Sequence, residues 1–377
     1  MTSQKRLRVG VLFGGRSGEH EVSLASAASV IRALDPEKYD VVPIGISKDG
    51  RWLVGTNAQK MLGDVLKSGE RVFLPPDPTA ATLVPMAAGG NRPSMTVDVI
   101  FPVLHGTFGE DGTVQGFLEL AGLPYVGPGV LSSAVGMDKD VQKRLFEQAG
   151  LPIVPYLAIR RADWERNPGA VLRLIKKKFK FPVFVKPATL GSSVGMTRVK
   201  KPGELAAALN VAAEFAMKIL VEKNVTAREI EVAVLGNEEV KASIPGEIVP
   251  HREFYDYAAK YLEEGTQLVI PAPLTKKQVA QFQDFAVRAF KAIDGAGMAR
   301  CDFFLERRTG KIFVNELNTI PGFTSISMYP KLWEASGIPY PRLIDRLIEL
   351  ALELHSEKTR TKYSIELPAG STGALGA

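Results

Sequence analysis

Apolar and polar positions along the chain keep two rhythms, and the changes between them mark the elements. Leu7 to Phe13 is a short apolar run that reads as a buried strand. A glycine turn, Gly14 to Glu21, follows it, and from about Val22 to Leu34 apolar residues recur at helical spacing. Tyr39 to Ile46 and Val97 to Leu104 read as further strands, the second ending in His105 and Gly106. Residues 51–93, with Pro75, Pro76, Gly89 and Gly90, keep neither rhythm and read as an irregular surface excursion. Leu123 to Gly129 is a Gly/Pro-rich connector, after which Met137, Asp138 and Lys139 open a helix to about Ala149. Phe181 to Pro187 is a strand with Lys186 near its end, and a Gly/Ser loop, Ala188 to Gly195, leads into extended Met196 to Val199. Gly203 to Lys218 reads as helix, Ile219 to Lys223 and Glu229 to Leu235 as strands, and Leu274 to Ile293 and Arg342 to His355 as amphipathic helices. Pro245 to Thr266 is long, irregular and aromatic, which reads as an ordered lid. From about Ser356 the chain thins to small residues and reads as a mobile tail.

The strongest local signal is a hairpin. Ala299 to Leu305 and Ile312 to Thr319 are strand-like, and Glu306 to Lys311 reads as their turn. Alternation puts Ile312, Val314, Glu316 and Asn318 on one face of the second strand. Folding the hairpin brings Asp302 abreast of Glu316, within one residue of register, with Arg300 on the Asp302 face. Converging Asp, Glu and Asn oxygens suit Mg²⁺ shared with substrate phosphates. The same residues also read as a cross-strand Arg–Asp pair at a sheet edge.

A chain of 377 residues with 45% hydrophobic and 23% charged residues implies two or three globular domains. The net charge of +6 favours anionic ligands without the concentrated basic footprint of a nucleic-acid binder. The densest basic run, Lys176 to Lys180, reads as a solvated helix end. The single cysteine, Cys301, excludes an internal disulfide and reads as a packed thiol opposite Asp302. No apolar run reaches membrane-span length, and Val9 to Phe13 is too short for a signal-peptide core; a soluble, cytoplasmic protein is expected.

Three stretches carry candidate chemistry besides the hairpin. The turn after the first strand lacks the G-x-G-x-x-G spacing of a dinucleotide site, and Glu19 and Glu21 would repel a pyrophosphate there. Glu21 reads either as a complement to the helix dipole or as the receiver of an ammonium group. His105, at a strand end among glycines, reads as a ligand-positioning residue or a capped surface histidine. The 188–195 loop is no Walker A motif, yet its backbone can cradle phosphate with Lys139 and Lys186 as counter-charges, or it is a plain surface hairpin.

In combination, GGRSGEHEVSL (14–24), HGTFGEDGTVQG (105–116), MDK (137–139), VKPATLGSSVGM (185–196), EFYDYAAKY (253–261), RCDFF (300–304) and NELNTIPGFTSISMYP (315–330) resemble the D-alanine–D-alanine ligases of the ATP-grasp superfamily. The resemblance implies an α/β, three-domain ATP-grasp architecture: a Rossmann-like domain over residues 1–128, a central subdomain over 129–222 and a C-terminal one over 223–355, with a lid at 245–266 and a tail from 356 to 377. It implies ATP-dependent joining of two D-alanines through an acyl phosphate, for peptidoglycan synthesis in the cytoplasm, by a homodimer that binds neither nucleic acid nor membrane. Asp302, Glu316 and Asn318 would hold two Mg²⁺ ions, with Mn²⁺ as a substitute. Lys139, Lys186 and Lys260 would meet ATP phosphates, Glu222 the adenine edge and Glu229 the ribose, with Lys223 and Phe254 also binding ATP. Glu21 would bind the first substrate's ammonium beside His105, in a network with Ser192 and Tyr261. Arg300 and the Gly322 N–H would form the oxyanion site, and Ser327 and Met328 would take the second substrate's carboxylate. A D-alanine–D-lactate ligase and a non-catalytic nucleotide binder of the same fold are the alternative readings; the lid motif speaks against the first and the intact charged set against the second.

Overall fold

The structure is a computed structural model that describes residues 6–55, 62–86, 94–191, 194–249 and 267–364. Ser192, Phe254, Lys260, Tyr261, most of the expected lid and the end of the expected tail lie outside the described residues. The first sheet has the strand order β6-β5-β4-β3-β2-β1-β7. Its parallel part is β1 (Leu7–Gly14), β2 (Tyr39–Ile46) and β7 (Val99–Pro102), with helix His20–Ala33 crossing from β1 to β2. Val9, Val11 and Phe13 pack on one face of β1 and Leu12 on the other, which explains the unbroken apolar run. Residues 51–93 are not irregular throughout: β3 (Trp52–Val54), helix Leu62–Ser68, β4 (Glu70–Phe73) and β5 (Thr82–Pro85), with β6 (Met95–Thr96) beyond, extend the sheet antiparallel. The strands are two to four residues long, too short to show a period of two.

The second sheet, in the order β10-β9-β11-β8, is antiparallel. It comprises β8 (Tyr156–Arg160), β9 (Val183–Pro187), β10 (Thr197–Val199) and β11 (Lys218–Lys223). Val183, Val185, Ile219 and Val221 face helices Pro168–Lys178 and Leu205–Phe215. Alternation therefore puts Lys186, Leu220 and Glu222 on the opposite face. The lysine run sits at the C-terminal end of helix Pro168–Lys178, as its charge favours.

The third sheet runs β15-β14-β12-β16-β17, with β13 (Lys241–Ala242) also on β12. Its strands are β12 (Ala227–Gly236), β14 (Gly246–Val249), β15 (Gln267–Val269), β16 (Gly297–Glu306) and β17 (Ile312–Asn318). β14 occupies part of the stretch expected to be irregular. Helix Lys276–Ala292, opened by a Thr275–Gln278 capping box, covers one face with Phe282, Phe285 and Phe290. Cys301 is buried there, as its alternation implied, and burial pushes its thiol well above the usual range. A bulge between Asp302 and Phe303 corrects one expectation: Phe303 pairs with Val314 and Asp302 with Glu316, leaving Asn315 as the extra residue. Ile312 and Val314 therefore face the apolar core, while Glu316 and Asn318 face away.

Helix Tyr340–Thr359, longer than its apolar pattern suggested, packs with β1, β7 and residues of β12 and β16 in one core, so the first and third sheets are joined. Buried Asp345 on this helix accepts from Tyr39 Oη at 3.0 Å and pairs with Lys38 at 2.8 Å. No described helix is long and apolar enough to cross a membrane.

Helix Lys139–Gln148, N-capped by Asp138, joins the second and third sheets. Buried Gln142 donates to Leu317 O at 3.0 Å and accepts from Leu317 N at 3.0 Å, so a side-chain amide completes edge strand β17. Gln142→Met should leave both backbone groups of Leu317 unpaired. A loss of ~1–3 kcal/mol is expected, read as a lowered urea midpoint. An unchanged midpoint would mean that water or a neighbour replaces the amide.

Candidate active site

The polar faces of the second and third sheets look onto one cleft. Register lines up Glu231, Asp302 and Glu316 across β12, β16 and β17, and sets Arg300 opposite Asn318. Three carboxylates in a row need cations, and the structure supplies them. Arg300 grips Asp302 through two bonds of 2.7 Å and reaches Glu231 Oε2 at 3.0 Å. Lys139 Nζ lies 3.2 Å from Glu316 Oε2 and donates to Leu190 O at 2.9 Å, tying the Gly/Ser loop to β17. Asn318 Nδ2 donates to Asp302 Oδ2 at 2.9 Å, so its oxygen is the atom it offers a ligand. The Arg300–Asp302 pair is real, but the two residues are two apart on one strand that is not an edge.

This donor set fits a divalent ion held partly by a phosphorylated substrate. Two carboxylates and a carboxamide are hard oxygen ligands, and three protein groups leave the rest of an octahedral shell to substrate and water. Among the described residues no group of three or more His, Cys, Asp or Glu closes as a ready metal cage. Across the cleft, Lys186 Nζ lies 2.8 Å from Glu222 Oε2, and Lys143 Nζ lies 3.1 Å from Glu222 Oε1. Burial pushes the Glu222 carboxyl up, but the two lysines prevail and hold it below the usual range. The Glu222 carboxylate thus pairs with lysines in this state. Lys223, at the end of β11, is exposed, and its N–H donates to Pro155 O at 3.0 Å. Glu229 is half-buried on β12 between Ile248 and Phe304.

The other end of the cleft is built from three loops. Ser17 Oγ donates to His105 O at 2.8 Å and accepts from Glu19 N at 3.1 Å. Ser26 Oγ lies 3.2 Å from His105 Nε2 and accepts from Phe323 N at 3.3 Å. His105 Nδ1 lies 3.3 Å from Ile320 O, so this histidine is an internal strut and not a surface cap. Burial drives its imidazole toward the neutral form.

The structure corrects the expectation for Glu21. Its side chain is 68% exposed and paired with Lys48 at 2.6 Å. Glu21 is the second residue of helix His20–Ala33 and Glu19 its non-helical N-cap, so the two side chains leave the backbone in different directions. Glu19 is the carboxylate aimed inward: Cβ atoms built on Gly106 and Gly191 would lie 3.0 and 3.7 Å from its Oε2. Glu110, in the GEDG run, was also missed. It accepts from Gly106 N at 2.6 Å, and burial together with the Glu19 charge pushes its carboxyl up to about 8.

Near Gly322 lies the start of helix Met328–Ala335, with Ser327 at its N-cap position. A Cβ on Gly322 would meet Ser327 Oγ at 2.7 Å, which keeps this approach to glycine. The Met328 side chain is buried in the shared core, so only its backbone can meet a ligand. This helix N-terminus, whose Ser327 Oγ accepts from Thr324 N at 3.0 Å and lies 2.7 Å from Thr324 Oγ1, has the polarity that suits a carboxylate.

Two sheets facing each other over lysines and carboxylates, with a Rossmann-like unit closing one end, define the ATP-grasp class of ligases. Residues 8–128 match the family profile of the D-ala D-ala ligase N-terminus, and residues 145–349 that of the D-ala D-ala ligase C-terminus. The chain belongs to the D-alanine–D-alanine ligase family. It is 51% identical over 353 residues to the D-alanine–D-alanine ligase of Heliobacterium modesticaldum, covering 93% of this chain and 96% of that one. The enzyme of that name from Geobacillus kaustophilus is 47% identical, over 96% of this chain and 99% of its own. Among solved structures, the D-alanine-D-alanine ligase from Coxiella burnetii superposes with a TM-score of 0.84 at 39% identity, covering 95% and 97% of the two chains. The VanG D-Ala:D-Ser ligase from Enterococcus faecalis does so with a TM-score of 0.83 at 36% identity, covering 92% and 100%.

The raised Glu110 carboxyl gives a pH prediction. A carboxyl that titrates higher when folded binds more protons folded than unfolded. Its contribution to stability is therefore full below about pH 4.5 and is lost as pH rises to about 8. Glu110→Gln should remove that dependence, so thermal midpoints of variant and parent should shift in the variant's favour between mildly acid and mildly alkaline buffer. Parallel pH curves would mean that Glu110 stays ionised.

Proposed function

We propose that the protein joins two D-alanines to D-alanyl-D-alanine, with ATP converted to ADP and phosphate, for peptidoglycan synthesis. The observation that carries this reading is the Asp302–Glu316–Asn318 row facing Lys139 and Lys186, with Glu19 at the far end of the same cleft. Asp302, Glu316 and Asn318 would hold the divalent metal, in this reading two Mg²⁺ with Mn²⁺ as a substitute. When bound, the metal neutralises charge on the phosphates. Lys139 and Lys186 add positive charge there, Glu229 takes the ribose, and Glu222 and Lys223 line the adenine end. Phe254, Lys260, Ser192 and Tyr261 keep the lid and network roles the motifs imply.

Glu19, in place of Glu21, receives the ammonium of the first D-alanine, whose carboxylate attacks the γ-phosphate to give an acyl phosphate and ADP. Ser327 Oγ and the Met328 N–H orient the second D-alanine by its carboxylate. Its amine attacks the acyl carbon, Arg300 and the Gly322 N–H stabilise the oxyanion, and phosphate leaves. A homodimer in the cytoplasm is the form we propose, supported by the family alone.

The test is phosphate release from ATP with D-alanine present, and D-serine and D-lactate offered as acceptors alongside. Release that needs D-alanine and yields dipeptide is expected; D-alanine-independent release would sink the reading. Asp302→Asn should lower turnover by orders of magnitude, because phosphoryl charge goes uncompensated. Glu19→Gln should raise KM for the first D-alanine tenfold to hundredfold, the equivalent of ~1.5–3 kcal/mol for a charge-assisted bond. Glu21→Gln should leave it within twofold. The reverse ranking would return the ammonium site to Glu21.

A further inference from the structure

One buried charge in the cleft has no part in the reaction as described. Helix Lys139–Gln148 carries Lys139 and Lys143 one turn apart, on the face that meets the cleft. Lys143 is wholly buried, which is rare for lysine. Its ammonium, 5.9 Å from the Tyr156 ring centroid, has Glu222 as its ion-pair partner. Glu222 in turn holds Lys186 at 2.8 Å, so one carboxylate serves two ammoniums. Lys143 is the inner of the two, at 0% side-chain exposure against 10% for Lys186. Lys143 Nζ and Glu222 Oε1 are enclosed, yet neither makes an aligned hydrogen bond despite their 3.1 Å approach. Burial, with Lys186 nearby, pulls the Lys143 ammonium below the usual lysine range, and the Glu222 carboxylate is the main group opposing that.

A carboxylate with two cations can lose one and remain paired; with one cation it cannot. A lysine that must turn to a phosphate has to leave its resting partner first. If that partner is buried and has no second cation, the departure strands a charge in low dielectric, and the lysine stays.

We propose that Lys143 is a positioning residue for nucleotide binding: it holds Glu222 paired and in place so that Lys186 can exchange that carboxylate for the nucleotide's phosphates. The inference rests on the reading above that Lys186 meets phosphate. Lys143 itself touches no substrate. Its effect passes through Glu222, which makes it separable from a general loss of positive charge.

The probe is inorganic triphosphate with Mg²⁺, titrated calorimetrically into the full-length protein. Triphosphate has the phosphate charges and no adenine, so any contact of Glu222 with the base drops out. Lys143→Met should weaken triphosphate binding at least tenfold, because Glu222 then keeps Lys186. Glu222→Gln, which frees Lys186, should bind triphosphate as well as the parent or better. Adding Lys143→Met to Glu222→Gln should change affinity less than twofold, since the path through the carboxylate is gone. Equal losses in the two backgrounds would make Lys143 a distant charge and overturn the proposal, as would unchanged affinity in a folded Lys143→Met protein. Should Lys143→Met alone fail to fold, the Glu222→Gln arm decides, and a tenfold weakening there overturns the proposal. Lys186→Met separates the two readings. Unchanged triphosphate binding in that variant removes Lys186 from the phosphates, and both readings fall. Weak binding there with a silent Lys143→Met removes only the positioning role.

Discussion

The amide of Gln142 against Leu317 is the contact on which the cleft's geometry depends. An edge strand exposes N–H and C=O groups that need partners. On β17 those of Leu317 are met by one buried side chain from helix Lys139–Gln148. The same strand donates a backbone bond from Val314 N to Pro152 O, just beyond that helix. Helix and strand are thereby held in one register, and the register decides which charges meet. Lys139 stands three residues before Gln142, and Glu316 one residue before Leu317, so fixing the amide brings the lysine onto the carboxylate. Asp138, the helix N-cap, pairs with Lys218 at 2.8 Å, which anchors the helix to the second sheet as well. One helix thus locks two sheets at the distance their polar faces require.

Across the cleft that results, charges are paired among themselves before any ligand arrives. Asp302 has Arg300, Glu316 has Lys139, and Glu222 has two lysines. Buried ion pairs contribute little net stability, but removing one partner costs ~3–5 kcal/mol. Binding in such a site is therefore an exchange of partners. A cation entering at Asp302 and Glu316 can replace Arg300 and Lys139, which become available for anions. The bidentate grip of Arg300 on Asp302 would thus couple a cation bound at Asp302 to the freedom of one guanidinium to meet an anion. Glu231, 3.0 Å from Arg300 Nε, keeps that guanidinium from losing all its anionic company when Asp302 is engaged elsewhere.

The hairpin was legible because both strands are long and closed by a clear turn. Asp302 pairs with Glu316 as the alternation suggested. The bulge at Asn315 was not legible, since an extra residue looks the same in sequence as a continued strand, and it inverted the face assigned to Ile312 and Val314. Residues 51–93 hid their strands because two- to four-residue pieces carry no period. Glu19 and Glu21 differ only by where the helix starts, and one turn boundary decides which carboxylate faces inward. Glu110 and Lys143 left no pattern at all. Their surroundings come in part from residues far along the chain, Ile320 in one case and Glu222 in the other. The surroundings of an ionisable group are a tertiary property, and it was these that the sequence could least disclose.

The distribution of sign along the cleft has a consequence for the order of events. One end gathers Lys139, Lys143 and Lys186; the other presents Glu19 and Glu110 between glycine loops. A zwitterionic amino acid in such a field turns its ammonium to the carboxylate end and its carboxylate to the lysine end. That orientation aims the carboxylate at the place where phosphates would sit, before any side chain touches the reacting atoms. Glu110 tunes the field. Protonated, it leaves Glu19 as the local anion; ionised, it doubles the charge beside the ammonium at the expense of burying two carboxylates together. A carboxyl that titrates near about 8 favours the first state at neutral pH. With the ammonium at Glu19 as proposed, the substrate's single positive charge would then meet a single negative one, and no like-charged pair would be left to be compensated when the amino acid departs.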